Sequence, residues 1–176
     1  MLAEYGAASA LAGPHLYTST DDGLTWAVAY DLNSQTAKPY HWHTVAYHAG
    51  TGKWVAAFGD SRPLRGIMTS PDGTNWTKLY AEGTCSDQPV CFYDDGDPTT
   101  ILYGADGATC IGRLNVNTGA VDVLFAQTDR LANRGYCWVL TKYAGVYYAL
   151  SMDTSGGSAQ QAVIWVSTDL SNWSVY

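Results

Sequence analysis

The sequence predicts an all-β chain made of repeated four-stranded antiparallel units, and three observations carry that expectation. Apolar segments of strand length recur every 46–50 residues. No stretch shows the 3.6-residue apolar period of an amphipathic helix. The composition, with 18 Gly, 13 Tyr and 7 Trp among 176 residues, favours strands joined by tight turns. Four short strands per repeat at this period are the sequence signature of β-propeller blades.

The strands fall in step along the chain. Residues 54–60, 100–106 and 147–153 are apolar runs spaced by 46 and 47 residues. Each follows a second apolar strand, at 43–47, 90–93 and 136–141. Between the two strands of each pair stand Ala49-Gly50-Thr51-Gly52, Asp94-Asp95-Gly96-Asp97 and Tyr143-Ala144-Gly145, the residue types that hairpins use. Further along each unit a polar turn recurs. It reads Ser19-Thr-Asp21-Asp-Gly23-Leu-Thr25-Trp26, then Thr69-Ser-Pro71-Asp72-Gly73-Thr-Asn-Trp76, then Ser167-Thr-Asp169-Leu-Ser-Asn-Trp173. The first two Trp are 50 residues apart and the next two 97, two periods, so a degraded copy is expected between them. Asn115, Asn117 and Gly119 supply it, followed by aliphatic residues where the Trp would stand. On this spacing residues 40–80, 88–126 and 133–176 each hold a full blade, and residues 1–31 hold half of one. The expectation is a single propeller domain of about 3.5 blades, incomplete or completed by another chain.

The copy at Ser19, Asp21, Gly23, Thr25 and Trp26 resembles the Asp box, or bacterial neuraminidase repeat, of sialidase-like propellers. The other copies depart from it: Pro71 takes the Asp place in the second, and the fourth is one residue short without its Gly. The resemblance implies a structural role, capping the hairpin between the third and outermost strands of a blade. The Asp would bind backbone N–H groups, the Gly would take positive φ, and the Trp would pack back on the blade. The implied structural set is Ser19, Asp21, Gly23 and Trp26; Thr69, Asp72, Gly73 and Trp76; Asn115, Asn117 and Gly119; and Ser167, Asp169 and Trp173.

Composition excludes several functions. Nine Lys+Arg against 16 Asp+Glu give a formal charge of −7, with no basic run for nucleic acid. At 47% apolar the chain can bury a core. No apolar run approaches the roughly 18–20 residues of a membrane helix, so no membrane insertion is expected. The N-terminus lacks the basic and apolar regions of an export signal. Of four cysteines, Cys85 and Cys91 flank a five-residue loop and could bridge in an oxidising compartment, while Cys110 and Cys137 sit in apolar strands.

The resemblance also implies what a sialidase-type enzyme would need: three Arg clamping a carboxylate, a Tyr nucleophile paired with a Glu, and an Asp acid/base. The chain has five Arg (62, 65, 113, 130 and 134), two Glu (Glu4, near a frayed terminus, and Glu82), and no Arg-Ile-Pro ahead of the first box. None of these can be carried over, so the chain is expected to be no enzyme and to need no cofactor. His41 and His43, two apart on a strand, place two imidazoles on one face, but no third ligand can be assigned. They are read, with His48, as polar residues at a blade entrance, and Asp94, Asp95 and Asp97 as solvated turn acids; no metal is expected. Trp42, Trp54, Trp138 and Trp165 lie outside the boxes and are the candidate sugar-stacking aromatics, the competing reading being packing between blades. The expected role is an extracellular or virion-surface module, such as an adhesin or a phage tail or capsid decoration. It would recognise a glycan or a protein neighbour, as a homo-oligomer or within a larger assembly. The alternative is a piece of a sialidase-like glycoside hydrolase with its catalytic residues outside this chain.

Overall fold

A computed structural model describes residues 1–4, 14–32, 41–59, 65–79, 88–106, 110–126, 135–153 and 161–176. Among these residues, fifteen strands build four antiparallel sheets, three of four strands and one of three. The first blade holds β1 (Leu2–Ala3), β2 (His15–Thr18) and β3 (Ala27–Asp31); the second holds β4 (Trp42–His48), β5 (Lys53–Phe58), β6 (Gly66–Ser70) and β7 (Thr77–Leu79). The third holds β8 (Pro89–Tyr93), β9 (Thr100–Ala105), β10 (Cys110–Asn115) and β11 (Val121–Ala126). The fourth holds β12 (Gly135–Tyr143), β13 (Val146–Asp153), β14 (Gln161–Ser167) and β15 (Ser174–Val175). Within each sheet, strands follow chain order, and the blades meet chiefly through β4, β8 and β12, the inner strands. The propeller expected from the period is the fold observed.

The core consists of three layers between successive blades. Alternation along the second strand of a blade feeds two layers at once, because successive side chains leave a strand on opposite faces. On β5, Ala56 and Phe58 join Leu16, Leu32, Trp42 and Met68 in the layer facing the first blade. Val55 and Ala57 join Ile101, Tyr103 and Leu114 on the other side. On β9, Ile101 and Tyr103 face backward while Leu102 packs forward with Ile111, Cys137, Leu140 and Ala149. Central strands buried on both faces read as continuous apolar runs for this reason. At Gly104, opposite Cys91 on β8, a Cβ would lie 2.6 Å from Cys137 Sγ and closer still to its carbonyl oxygen. The third and fourth blades thus touch backbone to backbone there.

Two expectations are corrected. Cys91 is a free thiol, donating to the Cys137 carbonyl at 3.3 Å, so it forms no bridge with Cys85, which lies outside the described residues. Cys110 is disulfide-bonded instead. Glu4 is held fast: its carboxylate accepts from the His15 backbone N–H and ring Nδ1, each at 2.9 Å. That bond to the backbone amide, then the ring, holds Glu4 below the usual carboxylate range.

Candidate functional site: the mouth of the inner strands

The two ends of the blades differ. At one end, hairpins after β4, β8 and β12 and the polar turns after β2, β6, β10 and β14 close the strands tightly. At the other, the inner strands begin and the second strands end. The strand ends there are joined by the stretches outside the described residues.

At the closed end, Ser19 Oγ donates to Asp21 Oδ1 at 2.8 Å and accepts from the Gly23 N–H at 2.8 Å. Trp26 Nε1 donates to the Gly23 carbonyl at 3.0 Å. In the second turn Ser70, not Thr69, plays this part, bonding Asp72 and the Gly73 N–H at 3.0 and 2.8 Å. That turn is therefore one residue shorter than the first, and its Asp is in place. The fourth turn has the same short form, with Ser167 accepting from Leu170 N–H at 2.9 Å and Leu170 at φ 66°. In the third, Asn115 Oδ1 accepts from the N–H groups of Asn117 and Thr118, each at 3.0 Å, and Gly119 takes φ 76°. The Asp94–Asp97 acids are spent similarly: Asp94 accepts from Ala49 N–H at 2.8 Å, and Asp97 from Thr100 N–H at 2.8 Å. His48, fully buried at this end, bonds the Asp97 carbonyl at 3.0 Å and does not approach His41 or His43.

The four candidate aromatics do not converge. Trp42 is 1% exposed, packed edge-on to Phe58 with its Nε1 donating to the Pro14 carbonyl, so it is core. Trp165 packs on Phe125 and donates to Ser151 Oγ. Trp54 pairs with Tyr47 toward the closed end. Trp138 alone is open, 45% exposed, and its ring pairs with that of Tyr136 at 5.5 Å and a 41° tilt. Tyr136 lies outside the candidate set, although the sequence places it two residues from Trp138 on one strand.

Both rings stand near the start of β12, at the open end. A line of hydrogen bonds crosses the neighbouring blades at the same level. Gly59 N–H donates to the His41 carbonyl (3.0 Å), Gln88 Nε2 to the Gly59 carbonyl (3.3 Å), and Asp106 N–H to the Gln88 carbonyl (2.9 Å). His43 Nδ1 lies 3.2 Å from the Pro89 carbonyl, and its Nε2 lies 3.1 Å from His41 Nε2. This end therefore carries two imidazoles and a buried amide between the second and third blades, and on the fourth blade one exposed ring, Trp138, beside the half-buried Tyr136. Of the five Arg, Arg65 and Arg113 are described and occupy different blades; Arg62, Arg130, Arg134 and Glu82 lie outside the described residues. Among the described residues, no three His, Cys, Asp or Glu cluster as a metal site, and no helix is long and apolar enough to cross a membrane.

An arc of propeller blades with an amphiphilic mouth is the class that fold and site define. No family profile matches the chain, and no curated protein matches it. Solved structures do. The Bacteroides ovatus protein GH43B of a xyloglucan PUL superposes with a TM-score of 0.57 at 15% identity, over 93% of this chain and 36% of its own. A thermostable family-43 glycoside hydrolase gives 0.54 at 14%, over 94% and 64%. A Clostridium novyi NT protein described as a conserved lipoprotein gives 0.52 at 10%, over 76% and 90%. The chain thus spans about a third of the first and just under two thirds of the family-43 hydrolase. These likenesses show the propeller fold and point to no sialidase.

They also correct the expectation that the chain is no enzyme. That expectation rested on missing sialidase-type residues, yet the blades superpose on glycoside hydrolases of another family. Glycosidic bonds are in general cleaved by a pair of carboxylates, with no need for an arginine clamp, so its absence excludes only one arrangement.

Proposed function

We propose that the chain forms part of a carbohydrate-directed propeller whose sugar surface is the mouth, with Trp138 and Tyr136 as the stacking platform. One observation carries this reading: the ring pair of exposed Trp138 and half-buried Tyr136 stands at the same end of the blades as His41, His43, Gln88 and Asp106. Sugar rings bury apolar C–H faces on such amphipathic aromatics while polar groups nearby take the hydroxyls. A formal charge of −7 disfavours anionic glycans and points to neutral polysaccharide. Xyloglucan, named for the Bacteroides ovatus neighbour, is the first probe. A disulfide at Cys110 supports an extracytoplasmic setting. The serine–aspartate turns support an affinity with Asp-box propellers, and a single domain over residues 1–176 is part of the proposal.

Calorimetry of the full chain against soluble xyloglucan and a panel of neutral polysaccharides tests it. Binding to at least one, weakened roughly thirtyfold or more by Trp138→Ala, is expected, since a stacking Trp is typically worth about 2 kcal/mol or more. No binding, or binding indifferent to Trp138→Ala, overturns it. Release of reducing ends in the same mixtures reports whether bound sugar is cleaved.

A second reading, association with another blade, rests on the outer face of the fourth blade. Val139, Leu150 and Ile164 lie in register across β12, β13 and β14, with Val139 and Ile164 46% and 42% exposed. The opposite face of that blade packs on the third through Cys137, Leu140, Ala149 and Trp165. A second copy of this chain covering the stripe gives a discrete oligomer by light scattering; a 19.0 kDa monomer at all concentrations contradicts it.

A further inference from the structure

We propose that His41 and His43 chelate a single transition-metal ion of the Zn2+, Ni2+ or Cu2+ class at the mouth, between the second and third blades. The inference goes beyond the carbohydrate reading and is tested without sugar. The His41 and His43 rings stand side by side with centroids 4.9 Å apart, while Trp42 between them turns into the core. The β4–β5 register shifts between Trp42 and Thr44, so His43 is the extra residue of a β-bulge, a device that re-aims a side chain.

The nitrogen geometry fits a shared ion. His43 Nδ1 faces a carbonyl oxygen, which only accepts, so Nδ1 carries the proton and Nε2 presents its lone pair. A backbone carbonyl holding the far nitrogen is the usual outer partner of a metal-ligating imidazole. The Nε2 atoms stand 3.1 Å apart with ring centroids at 4.9 Å. Two metal–nitrogen bonds of about 2.05 Å span that gap at an angle of about 98°, between the octahedral and tetrahedral values. His41 is 6% exposed, so little side-chain freedom is lost on binding. Imidazole selects Zn2+, Ni2+ and Cu2+ over Ca2+ and Mg2+, which take oxygen ligands. The alternative occupant of the same geometry is a proton, with His41 Nε2–H donating to His43 Nε2.

Calorimetry of the full chain with Zn2+, and electron paramagnetic resonance with one equivalent of Cu2+, separate the two. The metal site gives one Zn2+ per chain and a Cu2+ spectrum split by two imidazole nitrogens. His43→Ala weakens binding by at least about tenfold, since even outer-partner changes cost 10–100-fold. His15→Ala, in the first blade, leaves binding unchanged. No heat with Zn2+, a Cu2+ spectrum with fewer than two nitrogens, or affinity untouched by His43→Ala overturns the site. The spectrum of the unaltered chain decides the matter even where the His43 variant folds poorly.

Discussion

Leu170 shows how a residue can keep a backbone that its type resists. It holds φ 66° where the first two boxes carry Gly23 and Gly73 at φ 86° and 78°. A left-handed conformation costs a Cβ-bearing residue roughly 1–2 kcal/mol. Yet the Leu170 side chain is buried with Leu140, Tyr147 and Ala149, and deleting a buried Leu costs about 2–5 kcal/mol. Burial wins, so Leu170→Gly is expected to destabilise by about 1–3 kcal/mol, lowering Tm by roughly 2–4 °C per kcal/mol. A rise in Tm in thermal unfolding contradicts this. The sequence shows that Gly is missing there but not that Leu occupies the same conformation. Residue exposure was hidden for a related reason. Trp42 and Trp138 both stand on inner strands among apolar neighbours, and because blades are packed on both faces, alternation does not tell a core Trp from an open one.

At the scale of the element, the four polar turns behave as one device. The Asp21 carboxyl, bonded to the Thr25 hydroxyl and N–H and then the Ser19 hydroxyl, is lowered to about 2. Asp169, bonded to the Asn172 amide and N–H and then the Ser171 N–H, is likewise lowered to about 2. Folded values below the unfolded carboxylate value mean stability that is present above about pH 4 and lost as pH falls toward 2. Melting against pH checks this. The chain's Tm falls between those limits, and the Asp21→Asn, Asp169→Asn double variant starts lower and falls less; parallel curves contradict the account. Gly104 is the corresponding point between blades, where Ala would meet the Cys137 backbone. Gly104→Ala is expected to cost about 1–3 kcal/mol or more in denaturant unfolding, because overpacking that must move backbone is poorly relieved; a neutral result contradicts the close approach. The turns were legible from sequence because hydrogen-bonding side chains recur at fixed offsets. The frame of the second turn was not, because Thr69 and Ser70 are both hydroxyl residues and only the bonds show that Ser70 accepts from Gly73.

At the scale of the whole molecule, the blade count was readable because apolar strands and polar turns recur every 46–50 residues, although strand and turn lengths vary from blade to blade. The mouth was not, because its residues come from different blades and are drawn together only by the packing of β4, β8 and β12. The structure separates a closed end, where side chains are spent on turns, from an open end, where His41, His43, Gln88, Asp106, Tyr136 and Trp138 gather. That separation is the central claim, and the seven tryptophans report on it directly. A 15N spectrum of the indole N–H groups, titrated with a xyloglucan oligosaccharide, is predicted to shift Trp138. The closed-end indoles of Trp26, Trp76 and Trp173, each bonded to a turn carbonyl, are predicted to stay fixed. Shifts at those closed-end indoles, or an unmoved Trp138 with sugar in saturating excess, would contradict the account.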